Sequence, residues 1–337
     1  MTTPKNIDKY QIIKPLGSGH FGQVFHAFDR ALMTEKAIKV LKVTDPQQFL
    51  QHLEEAQILR ACTHKHIVTI NEANVFPVNG EHRVVLDLEY ISEGSLEGAM
   101  EGRWVSAKEA ISYIRGTISG LEHAHAQGIL HRDIKPGNIL LAPHAAKLSD
   151  FGLATSVQPG QAGSAKGYVT HLAPEYFISR ETTQQTDIFA MGVTLYRSVC
   201  NLSEWRAITS AIPKKMAHIK KGTLIKEIGY PDFVPSQLRR IINKACAPDP
   251  ANRYKTATEF GQRLDALRFA VDWLQENDFD WAGSDGTHHY EAYIDPAKNI
   301  LTVKKNGRRL NGFCKQFSSL DDAVVALHEH VATSTLA

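Results

Sequence analysis

The chain has 337 residues and a mass of 37.5 kDa, 43% of them hydrophobic, which excludes disorder of the whole chain and allows more than one domain. Its 38 basic and 36 acidic residues leave a formal charge of +2, so no global field steers it toward nucleic acid or an anionic membrane. Cys62, Cys200, Cys246 and Cys314 stand singly with no CxxC pair, which argues against a disulfide framework and fits reduced thiols in a cytoplasm.

Residues 1–8 lack the apolar run of a signal peptide, and no later stretch approaches about 18 consecutive apolar residues. A soluble cytoplasmic protein with no membrane span is expected. Residues 10–13 read as a strand entering the turn Gly17-Ser18-Gly19-His20-Phe21-Gly22; Val24 and Phe25 then begin a second strand and residues 37–40 form a third. Asp45-Pro46 is a helix start, with Phe49, Leu53, Ala56 and Leu59 at helical spacing and Glu54 and Glu55 on the same element. Strands at 75–77 and 83–89 flank Asn79-Gly80, a pair that tolerates positive φ. Gly94 marks a boundary between lobes.

Beyond it the pattern turns helical. Ser106 and Glu109 make a capping box ahead of Ile111, Ile114, Ile118, Leu121 and His125 on one face, and Gly128 is placed to end that helix. A second box, Thr256 to Glu259, opens a helix through Phe260, Leu264 and Leu267. From about residue 278 the texture changes. Residues 280–286 read as turns, followed by strands at 291–295 and 300–304, the hairpin turn Asn306-Gly307, a third strand through Phe313 and a helix over 319–331. This predicts an α+β protein whose β-rich first lobe and helical second lobe precede a small sheet-plus-helix domain over residues 278–337.

Chemistry concentrates in His131-Arg132-Asp133-Ile134-Lys135-Pro136-Gly137-Asn138, followed twelve residues after Asn138 by Asp150-Phe151-Gly152. Moving a γ-phosphoryl group to a hydroxyl needs a carboxylate at the incoming hydroxyl, an amide and a carboxylate on magnesium, and a cation near the phosphate. Asp133, Asn138, Asp150 and Lys135 fit those four roles, and the two triplets in this order and this close together are specific. Gly17-x-Gly19-x-x-Gly22-x-Val24 lies between two strands, whereas a dinucleotide fold wants a helix straight after the third glycine. No metal centre is read into His123/His125 or His288/His289, which lack ligand spacing.

These motifs resemble the eukaryotic-type (Hanks-type) serine/threonine protein kinase family over residues 8–268. The resemblance implies a bilobal α+β fold, with an N-lobe at about 8–91, a C-lobe at about 92–268, and ATP with Mg2+ in the cleft between them. It assigns ATP binding to Gly17, Gly19, Gly22, Val24, Ala37 and Lys39, with Glu55 pairing Lys39. Leu88 would stand behind the adenine, Glu89 and Ile91 would read it at the hinge, and Leu140 would cover its face. Asp133 becomes the catalytic base assisted by Lys135, and Asn138 and Asp150 the metal ligands. Arg132 implies an activation loop ordered by phosphorylation, with Ser164, eleven residues before Glu175, as the phosphosite and Thr155 and Ser156 as alternatives. Ala173-Pro174-Glu175, Arg253 and Asp187 match structural positions of the family. Tyr168 after Gly167 departs from its pattern and leaves substrate preference open.

Protein substrates are the expected partners, with docking or regulation through residues 278–337. The four cations around Asn306-Gly307 read as a solvated hairpin, because no aromatic platform accompanies them in sequence, and nucleic acid is not expected. The alternative reading is a pseudokinase, a module that holds nucleotide or a partner without catalysis.

Overall fold

The computed structural model describes residues 4–18, 22–41, 56, 60, 62–143, 145–151 and 169–337. Gly19, Glu54, Glu55, Gly152, Thr155, Ser156, Ser164, Gly167 and Tyr168 lie outside the described residues, as does most of the helix expected from Asp45. Among the described residues no helix is long and apolar enough to cross a membrane.

The first lobe is an antiparallel sheet of β1 (Asn6–Ile7), β2 (Tyr10–Ser18), β3 (Gly22–Asp29), β4 (Thr34–Leu41), β5 (Ile70–Val78) and β6 (Glu81–Glu89), in the order β1-β2-β3-β4-β6-β5. Asn79 (φ 52°) and Gly80 (φ 84°) turn β5 into β6 with two left-handed residues, the hairpin geometry their side chains permit. Ile7, Tyr10, Phe25, Ile38 and Val85 bury one face.

The second lobe begins with α1 (Leu96–Gly102) and α2 (Ala107–Ala126), followed by the hairpin β7 (Ile139–Ala142) and β8 (Ala145–Leu148). Ser106 Oγ accepts from Glu109 N at 3.1 Å, the forward half of the expected box. Glu109's carboxylate turns instead to Arg103 (2.7 Å) and Tyr113 (2.7 Å), because a guanidinium is the stronger partner. At the other end of α2, Gly128 (φ 73°) donates to His125 O and Ile129 to Ala124 O, a Schellman closure. The lobe's pillar is α3 (Gln184–Val199), buried all round from Thr186 onward. It packs closely on α4 (Ser236–Ala245) at Gly192, where a Cβ would lie 2.6 Å from Cys246 Sγ. The last helix, α5 (Ala257–Asp265), is capped by Thr256, whose hydroxyl accepts from Glu259 N at 3.1 Å.

The C-terminal unit is a second antiparallel sheet, built from β9 (Asp272–Asn277), β10 (Asp280–Ser284), β11 (His289–Asp295), β12 (Ile300–Lys305), β13 (Arg308–Arg309) and β14 (Lys315–Gln316), covered by α6 (Leu320–Thr335). Two expectations are corrected here. The segment read as turns from residue 280 is a strand through Ser284, and it pairs with β9, which starts ahead of the expected boundary. Gly283 misled the reading: it is a packing device, since a Cβ there would lie 2.7 Å from the Trp273 ring opposite it. Phe313 lies outside any strand and is 53% exposed, the outer edge being split into β13 and β14 on either side of it.

This unit packs on the second lobe. Val271 N donates to Ser334 O (3.1 Å) and Ala337 N to Arg268 O (2.8 Å), closing the chain's end onto the segment that leaves α5. Trp104, between α1 and α2, meets Trp281 edge-on at 5.2 Å between ring centres, with Phe233 against both.

Candidate active site

Between the first sheet and the β7–β8 hairpin lies a cavity of about 450 Å³. Its apolar walls are Val24 on β3, Ala37 on β4, Leu86 and Leu88 on β6 and Leu140 on β7; Gly17, Glu89 and Ile91 stand at its edge, and Lys39, Asn138 and Asp150 form its polar end. Gly22 opens β3 against β4, where a side chain would run into the Val40 carbonyl, so close strand approach requires a glycine there. Tyr90 stacks on His26 of β3 at 3.9 Å between ring centres, which ties the segment after β6 to the first sheet.

Lys39 and Asp150, 111 residues apart in the chain, form an ion pair across this cavity. Burial alone would raise the Asp150 carboxyl, but the charge and hydrogen bond of Lys39, with His131 and Lys135, outweigh it and hold the group below its ordinary range. Glu55, the expected partner of Lys39, lies outside the described residues.

The loop carrying Asp133 is held from beneath by Asp187, at the start of α3. Its carboxylate accepts from His131 N (2.9 Å) and Arg132 N (2.8 Å), and His125 Nε2 lies 2.9 Å away. This support lets Arg132 adopt a left-handed φ of 69°, a conformation with a steric cost for a residue bearing a Cβ. Burial pushes the Asp187 carboxyl up, yet the His125 bond and charge and the His131 contacts bring it below the ordinary value. Burial likewise lowers His131, despite the nearby Asp187 and Asp133. A neutral His131 donates from Nε2 to Ser149 O (2.9 Å) and accepts at Nδ1 from Asp133 N (3.3 Å), so one ring links the loop to the strand leading into Asp150.

Asp133 is braced in turn. Lys135 Nζ donates to Asp133 Oδ2 at 2.7 Å, and Asn138 Nδ2 donates to both Asp133 O (2.7 Å) and Asp133 Oδ2 (3.1 Å). Ser149 N donates to Asn138 O at 2.8 Å, which brings Asn138 and Asp150 to the same end of the cavity. Two carboxylates, an amide and two ammonium groups therefore meet beside a nucleotide-sized apolar slot.

Residues 10–263 match the family model described as the protein kinase domain. The chain belongs to the protein kinase domain family. Among curated proteins it is 30% identical over 270 residues to the serine/threonine-protein kinase PknA of Mycobacterium tuberculosis, covering 77% of this chain and 61% of that one. It is 30% identical over 332 residues to the serine/threonine-protein kinase PrkC of Bacillus subtilis, covering 89% and 49% respectively. For the serine/threonine-protein kinase PknB of Mycolicibacterium smegmatis the identity is 28% over 279 residues, covering 80% and 44%. The chain thus spans between two-fifths and three-fifths of the length of these relatives.

Three further pairs position the kinase domain's site. Arg253, 2% exposed, makes a two-pronged ion pair with Glu175 (2.7 and 2.8 Å) and also donates to the Ala247, Gln185 and Pro248 carbonyls. Lys147 of β8 donates to both oxygens of Glu89, each at 2.7 Å. Fully buried Arg197 of α3 pairs with Glu97 of α1 at 2.7 Å and lies 5.1 Å from the Trp205 ring centre. Glu97 in turn lies against the loop carrying Asp133 at Gly137, where a Cβ would be 2.8 Å from Glu97 Oε2. Sequence reasoning named Arg253 with Glu175 but missed the other two pairs, because a lone Lys147 or Arg197 carries no motif. For Arg197 the signal was an arginine closing the long, mainly apolar run from Ile188 to Tyr196 in α3.

Proposed function

We propose that the chain is an ATP-dependent protein kinase that phosphorylates serine or threonine hydroxyls. The reading is carried by the convergence of Lys39, Asn138 and Asp150, drawn from separate segments, at the polar end of one apolar slot, with the Asp133 carboxylate bonded to Asn138 beside it. The adenine fits between Val24, Ala37 and Leu140, with Glu89 and Ile91 at its edge and the phosphates directed toward Lys39.

Asn138 and Asp150 fit Mg2+, an oxygen-seeking ion that takes few protein ligands, and when bound it would neutralise phosphate charge. Asp133, fixed by Lys135 and Asn138, orients the substrate hydroxyl and accepts its proton as the oxygen bonds to the γ-phosphorus and ADP departs. Lys135 sits over the carboxylate where the transferred charge passes. A serine or threonine acceptor is supported by Lys135 two residues past Asp133 and by the relatives, which are named serine/threonine-protein kinases. A pseudokinase is the weaker reading, since all four polar groups are in place.

Autophosphorylation at Ser164, a cytoplasmic location and docking through the C-terminal unit belong to the same proposal. The decisive experiment compares wild type with Asp133→Asn, using γ-labelled ATP and a generic protein substrate. The expected result is label on protein only with wild type and equal nucleotide binding by both. Undiminished transfer by Asp133→Asn would remove Asp133 from its role.

A further inference from the structure

The basic edge of the C-terminal sheet takes no part in the phosphoryl-transfer site. Residues 272–337 carry ten aspartates and glutamates against six lysines and arginines, a net side-chain charge of −4. All six cations (Lys298, Lys304, Lys305, Arg308, Arg309 and Lys315) fall within a stretch that holds no carboxylate. The strand order turns this segregation in sequence into one in space: β12, β13 and β14 form one side of the sheet, while Asp272, Glu276 and Asp280 stand on β9 and β10 at the other.

The aromatic neighbours that the local sequence lacks come from β11. Lys304 lies 4.9 Å from the Tyr293 ring centre and 3.2 Å from Glu291, and Lys305 lies 5.2 Å from the Tyr290 ring centre. Arg308 and Arg309 are exposed on β13, which pairs with β12 alone, so among the described residues no strand lies along its outer side. The half-exposed Phe313 occupies the bend just beyond them.

We propose that this edge binds an extended acidic segment of the kinase's protein substrates, added as a strand beside β13 with its carboxylates on Arg308 and Arg309. An open strand edge offers amides and carbonyls to a polypeptide, and a guanidinium fork matches a carboxylate in two-pronged fashion. A nucleic acid has no backbone amides to pair with that edge, and its long phosphate chain would cross a unit that is negative overall. A short acidic peptide meets the basic edge alone. The proposal rests on the kinase reading only in taking the occupant to be a substrate.

The test uses the full chain and a short fluorescein-labelled peptide in which pairs of glutamates alternate with pairs of threonines, so that neighbouring carboxylates fall on both faces of the added strand, as Arg308 and Arg309 do. Binding followed by anisotropy is expected to weaken roughly tenfold in Arg308→Glu/Arg309→Glu, with an unchanged circular dichroism melt. A peptide of the same charge with proline in place of each threonine, and so with strand donors removed, is expected to bind roughly fivefold more weakly. Fusing the glutamate-threonine segment to a generic substrate lowers its KM for wild type and not for the double variant, while both treat the unfused substrate alike. Equal binding of the proline peptide, unchanged affinity in the double variant, or tighter binding of a labelled single-stranded oligonucleotide would each overturn the proposal. The anisotropy arm needs no catalysis, so a loss of kinase activity with binding intact would count against the enzyme reading alone.

Discussion

Lys147 on β8 donates to both carboxylate oxygens of Glu89 at the end of β6, each at 2.7 Å, so a side chain of the second lobe fixes the edge of the cavity formed by the first. The Glu89 carboxylate also accepts from Thr69 N at 3.3 Å, which makes it the joint between β5, β6 and β8. Lys147→Met removes the cation but keeps most of the side chain's volume. KM for ATP is expected to rise roughly three- to tenfold with kcat within about twofold, because the pair stands at the edge proposed for the adenine and not at Asp133. In a double-mutant cycle with Glu89→Gln the coupling energy should be about 1 kcal/mol; additivity would deny the pair this role.

Arg253→Ala is expected to be the most destabilising of these changes. It leaves the Glu175 carboxylate without its guanidinium and three carbonyls without their donor. Breaking such a buried pair costs about 3–5 kcal/mol, so the chemical-denaturation midpoint should fall sharply, with loss of activity following loss of fold. Arg253→Lys should recover only part of it, since an ammonium cannot reproduce the fork.

Asp187→Asn keeps the shape of the support beneath the loop carrying Asp133 but replaces one of its two accepting oxygens with a donor. Either the Arg132 amide, which bonds Oδ1, or the His131 amide, which shares Oδ2 with His125, must lose its acceptor. We expect kcat to fall on the order of a hundredfold with KM for ATP little changed, as the nearest consequence is a misplaced Asp133. A kcat within a few-fold of wild type would show that the loop holds its own geometry.

Stability should decline as pH falls below about 6.5. His131 and His171 are both buried and both lowered from the ordinary 6.5 by that burial, His171 further by the charges of Arg197 and Lys135. The unfolded chain then takes up protons that the native state refuses, which favours unfolding on the acid side and leaves the full contribution present above 6.5. Urea midpoints measured from pH 8 to 5 should show this slope, and His171→Gln should flatten part of it. A pH-independent midpoint across that range would contradict the assignment.

Gly283→Ala probes the C-terminal unit by itself. The new methyl would begin 2.7 Å from both Trp273 and Val271, buried residues of the core beneath α6, and relief requires both side chains to move. A loss of about 1–3 kcal/mol is expected in the unfolding of this unit, read from the fluorescence of Trp273 and Trp281. Normal stability would mean that the ring has room to shift.

The parts of this protein that short-range chemistry governs were readable from its residues: Asn79-Gly80 as a two-residue turn, Ser106 and Thr256 as helix caps, Gly128 as a helix end. Each depends on the φ or the hydrogen bond of a residue and its near neighbours, which side-chain type decides. The spacing from His131 to Asp150 was likewise legible, because one loop and one hairpin separate its members. What only the tertiary structure decided involves partners far apart in the chain: Lys39 with Asp150, Lys147 with Glu89, Arg197 with Glu97, and Gly283 yielding space to Trp273 in a strand that read as a turn. No periodicity marks such pairs, since they arise when separately formed elements are packed to full density and the buried charges and ring edges find whatever the packing brings beside them.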